Sequence, residues 1–207
     1  MEVFNKLFRE YDQWYEDYKW VFLSEVEALR KVVPKGKKGL EIGVGTGRFA
    51  EILGIEYGID PSEKMLSIAK ERGIKTSVGR GEDLPFSDEE FDYVTLIITI
   101  CFVENPYDVI KEAKRVLKDG GKIIIGIIDK NSYLGKLYQK MKEEGHRFYK
   151  YANFYSVDEI VDLLKRFNFK NFIFYQTIFK PLEYIKEVEE PKEGFGEGSF
   201  VVISAEK

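Results

Sequence analysis

Gly39-Leu40-Glu41-Ile42-Gly43-Val44-Gly45-Thr46-Gly47-Arg48-Phe49-Ala50-Glu51-Ile52-Leu53 changes its rule of construction halfway along. Up to Ile42 it is a short apolar run, as a buried strand requires. Three glycines at alternate positions then interrupt it, and from Arg48 apolar residues return with helical spacing. That order predicts a strand, a tight turn and a helix N-terminus. Glycine tolerates positive φ and leaves the backbone bare to a ligand, while the first turn of a helix offers N–H groups without internal partners. The next short strand ends in Tyr57-Gly58-Ile59-Asp60. A carboxylate there, at the open strand ends, can accept both hydroxyls of a ribose lying across the sheet edge.

The glycine spacing narrows the ligand. A dinucleotide fingerprint places glycines at its first, third and sixth positions, but the sixth residue counted from Gly43 is Arg48. The last glycine, Gly47, comes one residue early, which suits a ligand without a bridging pyrophosphate. Glu-x-Gly-x-Gly-x-Gly, followed by Asp at the end of the next strand, resembles the class I S-adenosylmethionine-dependent methyltransferases. Two further segments extend the resemblance. Gly79-Arg80-Gly81-Glu82-Asp83-Leu84-Pro85-Phe86 is similar to the family's Gly-Asp-Ala-Glu-x-Leu-Pro-Phe, which borders the adenine, with Arg80 where the family usually has Asp. Arg115-Val116-Leu117-Lys118-Asp119-Gly120-Gly121-Lys122 is similar to Arg-Val-Leu-Lys-x-Gly-Gly-Lys, a helix closed by glycine before the fifth strand. The resemblance covers residues 36–128 and points to the group containing the quinone-biosynthesis C-methyltransferases.

This resemblance implies an α/β fold: a doubly wound, mostly parallel, seven-stranded Rossmann-like sheet with a terminal antiparallel β pair and an N-terminal helical cap. It implies S-adenosylmethionine as cofactor, S-adenosylhomocysteine as product, and methyl transfer to a small-molecule acceptor. The cofactor-binding residues it suggests are Glu41, Gly43, Gly45, Gly47, Asp60, Pro61, Gly81, Glu82, Thr99 and Tyr11. No catalytic residue is assigned.

At 207 residues the chain reads as one domain. Its parts are a helical cap (1–33), a cofactor-binding core (36–128), an insertion (129–155) and a C-terminal helix with a β pair (156–207). Hydrophobic residues make up 44% and the net charge is −4, so no global basic field attracts nucleic acid. The single Cys101 excludes an internal disulfide and a cysteine-built zinc site, and no metal is expected. No stretch is long and apolar enough for a membrane span, and Met1-Glu2-Val3-Phe4 lacks the form of a signal peptide. The cytoplasm is the expected location, without membrane insertion.

Phe4, Leu7, Phe8, Tyr11, Trp14, Tyr15, Tyr18, Phe22, Val26, Leu29 and Val33 recur three or four apart, an amphipathic helix broken near Tyr18. Its aromatic stripe is either a packing face or a lid over the cofactor mouth. Tyr11-Asp12-Gln13-Trp14 resembles the Tyr-Asp-x-Trp ahead of the glycine loop in many small-molecule methyltransferases, and a sulfonium gains from aromatic faces. Phe91–Ile100 is nearly unbroken apolar, as a central parallel strand must be. Its end, from Thr99 to Val103, is expected to open onto the reacting methyl.

Residues 129–155 mix aromatics with lysines and glutamates and hold the only histidine, His146, which reads as solvated surface. Asp129, ending the fifth strand, is the one weak candidate for a base. Cys101 reads as a small apolar wall residue. Residues 180–198 are a mobile loop or part of the acceptor wall. Two other functions fit the composition, a nicotinamide-dependent reductase and a non-catalytic sensor of S-adenosylmethionine. Glycine spacing separates the first, and a methyl-transfer assay the second.

Overall fold

The computed structural model describes residues 5–207, so the first residue of the aromatic stripe, Phe4, lies outside the described residues. Strands β1 (Gly39–Ile42), β2 (Tyr57–Asp60), β3 (Lys75–Val78), β4 (Phe91–Ile97), β5 (Leu117–Ile128), β6 (Lys170–Thr177), β7 (Lys192–Glu193) and β8 (Phe200–Glu206) form one sheet in the order 3-2-1-4-5-8-6-7. The first five are parallel, and β8, β6 and β7 run antiparallel. The expected seven strands and terminal pair are therefore joined by an eighth, the two-residue β7. It pairs with Tyr175 and Gln176 of β6 and covers part of that strand's free edge.

Helices α1 (Phe8–Asp17), α2 (Lys19–Arg30), α3 (Arg48–Leu53), α4 (Glu63–Glu71), α5 (Pro106–Val116), α6 (Tyr133–Glu143) and α7 (Val157–Arg166) are described. The sheet is buried on both faces. Val26, Leu29, Phe49 and Ala69 pack with Ile124 and Val202 on one side, while Val109, Ile110, Ile160 and Leu164 pack with Ile123 and Ile125 on the other. Local signals set the helix ends. The hydroxyls of Ser62, Ser132 and Ser156 each accept an N–H of the first turn, and Glu159 completes a capping box with Ser156. The break expected near Tyr18 separates α1 from α2.

One expectation is corrected. Glycine does not close α5; the helix ends at Val116 and Leu117 is already extended. Leu117 is fully buried and pairs with Phe91, so burial and strand pairing terminate the helix before a glycine cap can form. Gly120 takes its positive φ (72°) later, within the bulged start of β5.

Candidate functional site

Strand order reverses between β1 and β4, and a crevice opens beyond their carboxyl ends, as it does in other doubly wound sheets. Gly43 and Thr99 face each other across it: a Cβ on Gly43 would lie 2.3 Å from Thr99 Cγ2, so only glycine fits there. The one Thr99 hydroxyl proton is shared between the carbonyls of Ile97 (3.0 Å) and Gly43 (3.3 Å), tying the two strand ends together. Asp60 holds the loop from the other side. Its Oδ2 accepts Gly45 N–H at 3.0 Å and its Oδ1 accepts Ser62 N–H at 2.8 Å. Burial raises its pKa, and these two backbone donors oppose the shift. The carboxylate expected at open strand ends is thus only 9% exposed and already organises the turn.

A cleft of about 100 Å³ lies against this edge. Of the residues suggested by sequence, Gly43, Gly45, Asp60, Pro61, Gly81, Glu82, Thr99 and Tyr11 line it. Glu41 and Gly47 do not. Gly47, at φ 83°, precedes α3 and packs on Ala69 and Ile74. Glu41 is buried beneath the loop with its Oε2 unpartnered, and burial, reinforced by Asp60, holds its pKa well above the usual range. Arg80 borders the cleft and pairs with Glu104 (2.9 Å) and Glu82 (3.5 Å). Glu82 Oε1 also accepts Glu104 N–H at 2.9 Å, bracing the approach to α5.

Beside the cleft lies a second cavity of about 500 Å³. Tyr11, Ile98 and Phe102 line both. Ile98 adopts φ 51°, uncommon for a β-branched residue, at the turn between β4 and this shared wall. The larger chamber is roofed by α1 and α6 and by residues 146–155, and Leu182 and Glu183 of the 180–198 segment reach it. Cys101 lines it as a thiol whose pKa burial pushes up to about 12, an inert wall residue. His146 stands in its wall too, stacked on Tyr149 with ring centroids 4.6 Å apart. Asp129 lines neither cavity. Its Oδ1 accepts Asn131 N–H (3.1 Å) in the turn before α6, so it serves that turn and does not face the chamber.

The cap is fastened by residues that the sequence reading passed over. Asp12 accepts Thr46 Oγ1 (2.6 Å), Arg48 Nη2 (2.6 Å) and Arg72 Nη1 (3.0 Å), and Arg72 also donates to Thr46 O (2.6 Å). Burial alone would raise the Asp12 carboxyl, but hydrogen bonds from Arg48, Arg72 and Thr46 hold it well below the usual carboxylate range. Arg48, which occupies the place of the missing sixth glycine, is thus one jaw of a clamp between α1 and the glycine turn. Tyr15, edge-on to Phe22 and Phe49 at 5.1 and 5.8 Å, adds an apolar anchor. The stripe therefore packs at Tyr15 and faces a cavity at Tyr11 and Trp14.

The residues present fit a nucleoside cofactor: a glycine turn whose backbone faces the cleft, a carboxylate at the second strand end, and a buried carboxyl with an orphaned oxygen below. Among the described residues no helix is long and apolar enough to cross a membrane, and no group of side chains could hold a metal ion. A methyltransferase-domain family model matches residues 40–125. An uncharacterised protein of Methanocaldococcus jannaschii is 54% identical over the whole of both chains. A demethylmenaquinone methyltransferase of Staphylococcus carnosus is 32% identical over 67% of this chain and 70% of its own. The crystal structure of a SAM-dependent methyltransferase of Thermotoga maritima, a possible histamine N-methyltransferase, superposes with a TM-score of 0.96 at 45% identity, covering 100% of this chain and 98% of its own. These matches give no support to the reductase or sensor readings. With its 3-2-1-4-5 parallel core, glycine turn and strand-end carboxylate, the chain belongs to the class I S-adenosylmethionine-dependent methyltransferases and is similar, within them, to the quinone methyltransferases.

Proposed function

We propose that the chain methylates a small molecule held in the 500 Å³ aromatic chamber, with the cofactor in the adjoining cleft. The observation that carries this reading is the wall of Tyr11, Ile98 and Phe102 shared by the two cavities beyond the ends of β1 and β4. S-adenosylmethionine supplies an electrophilic methyl on a sulfonium that leaves as S-adenosylhomocysteine. Asp60 would take the ribose hydroxyls, and the backbone of Gly43 and Gly45 would meet the amino-acid end. Gly81, Glu82 and Pro61 would border the adenosine, and Thr99 would fix the floor. Glu41, buried in β1, does not reach the cleft, and Gly47 lets α3 start against α4.

The acceptor contributes the electron pair, a lone pair or the π pair of an activated carbon, that forms the new bond to the methyl carbon, and any proton on the accepting atom passes to solvent. What the protein adds is alignment and exclusion of water, worth up to about 7–11 kcal/mol in well-oriented systems. The covered chamber and its apolar wall suit that task. No side chain is assigned as general base.

The test is ligand binding followed by turnover. S-adenosylhomocysteine should raise the melting temperature, as a ligand selective for the folded state must, and NADH should not. An acceptor panel should include a reduced naphthoquinone and histamine, the chemistries named for two relatives. Equal stabilisation by NADH, or none by S-adenosylhomocysteine, would overturn the cofactor assignment.

A further inference from the structure

The chamber contains one group that an ordinary hydrophobic pocket would exclude. Glu25, on α2, stands in its wall, is 1% exposed, and has an Oε2 with no hydrogen-bond partner. Burying a carboxyl among aromatic rings is unfavourable unless something compensates. Here the fold supplies nothing: no ion pair or hydrogen bond among the described residues reaches this oxygen. Around it stand phenols. Tyr11 and Tyr15 of α1, Tyr138 of α6 and Tyr149 of the following turn line the same chamber.

The remaining charges of the chamber point the same way. Glu10, Asp17 and Glu183 line it with Glu25, whereas its one cationic side chain among the described residues, Arg147, is paired with Glu10 and lies over the Phe148 ring. His146 is neutral in tendency, its pKa lowered by burial and then by Arg147. A chamber rimmed by the exposed carboxylates of Glu10, Asp17 and Glu183 and walled by π-faces, with one buried acid oxygen left unpartnered, favours a cationic guest over an anionic one.

Resting on the methyl-transfer reading above, we propose that the acceptor carries a cationic amine, and that Glu25 anchors it among the aromatic rings that line the chamber, Tyr11 and Trp14 of α1 and Tyr138 of α6. An ammonium or quaternary nitrogen provides what the site lacks: a positive charge for Oε2, and a partner for the negative faces of the rings. Burial alone lifts the Glu25 pKa to about 8, so the empty site holds a neutral carboxyl and avoids an isolated buried charge. An entering cation favours the ionised form and draws out that proton. A carboxylate-bearing relative of the acceptor offers Glu25 no positive charge and meets the exposed carboxylates of Glu10, Asp17 and Glu183 at the rim.

The experiment is calorimetric titration of the protein saturated with S-adenosylhomocysteine, using benzyltrimethylammonium, phenethylamine and the neutral 2-phenylethanol. Both cations should bind about tenfold or more tightly than the alcohol, the range expected for one charge-assisted contact. Glu25→Gln should erase that preference while leaving 2-phenylethanol and S-adenosylhomocysteine affinities within twofold. Glu25→Asp should retain a reduced part of it. Equal binding of the three probes by the wild type, no cation binding, or an undiminished preference in Glu25→Gln would each overturn the proposal while S-adenosylhomocysteine still binds. Failure to bind S-adenosylhomocysteine would instead break the cofactor reading, and this inference with it. The wild-type comparison decides the matter even if a variant does not fold.

Discussion

The cleft beyond the ends of β1 and β4 and the aromatic chamber share a wall but are built on opposite plans. The cleft is made of backbone and strand ends: Gly43, Gly45, Asp60 and Thr99 are held by bonds of 2.8 to 3.3 Å between main chain and short side chains. The chamber is made of side chains from α1, α2, α6 and the segments around 98–102, 146–155 and 182–183. A backbone site tolerates drift in the surrounding residues because its donors belong to every sequence that can make the turn. A side-chain site is rewritten by any substitution in its walls. That contrast fits the chemically different acceptors in the names of two similar methyltransferases, a demethylmenaquinone and histamine.

Breaking the joint between the two halves should have the largest effect. Asp12→Ala leaves the partly buried Arg48 and Arg72 without their shared carboxylate, so it should cost about 3 kcal/mol of stability by urea unfolding at pH 7, the lower range for disrupting a buried ion pair. It should weaken both cofactor and acceptor binding, since α1 serves both cavities. Because the Asp12 carboxyl titrates lower in the folded than in the unfolded protein, its stabilisation is present above about pH 4 and lost as pH falls below. The wild type should therefore lose stability faster than Asp12→Ala on acidification below pH 4. Parallel pH profiles would show that the clamp contributes little.

Asp60→Ala should strike the cofactor half alone. Loss of a charged acceptor to a ribose costs about 1.5–3 kcal/mol, a weakening of S-adenosylhomocysteine binding of about tenfold or more. The apo melting temperature should also fall, because the N–H groups of Gly45 and Ser62 lose their acceptor in a buried turn. Asp60→Asn, which keeps an oxygen, should be intermediate. Binding within twofold of wild type in Asp60→Ala would remove the ribose role.

Glu25→Gln should act with the opposite sign, and on the chamber alone. An acid whose folded pKa is raised loses stability as pH rises from its unfolded value near 4.5 toward about 8. The amide removes that loss, so the apo variant should gain about 1–2 kcal/mol at pH 8 and little at pH 4 by thermal unfolding. A variant that melts below wild type at pH 8 would show that the carboxyl has a structural partner.

The smallest effect belongs to the shared wall. Tyr11→Phe removes the 3.0 Å hydrogen bond between the Tyr11 and Tyr15 hydroxyls, worth about 1 kcal/mol, and keeps the ring. Turnover should change less than tenfold, and S-adenosylhomocysteine affinity should hold. A larger loss would place the hydroxyl itself against the reacting groups.

The parallel sheet and the turn at its edge are legible in the sequence, because those depend on signals only a few residues long. Gly43, Gly45 and Gly47 can be read as a turn since positive φ selects glycine wherever the residue sits. Asp60 ends its short strand at the edge, and Ser62 and Ser156 cap their helices within one turn. Tertiary structure decided what distance in sequence conceals. Asp12 meets Arg72 across sixty intervening steps, Ser24 accepts the N–H of Glu189, and Glu25 enters an aromatic chamber assembled from both ends of the chain. On a helical wheel Glu25 is one more charge beside an apolar stripe. Only packing reveals that this charge faces inward with no partner, since burial is a property of everything that surrounds a residue and is not written in its neighbours along the chain.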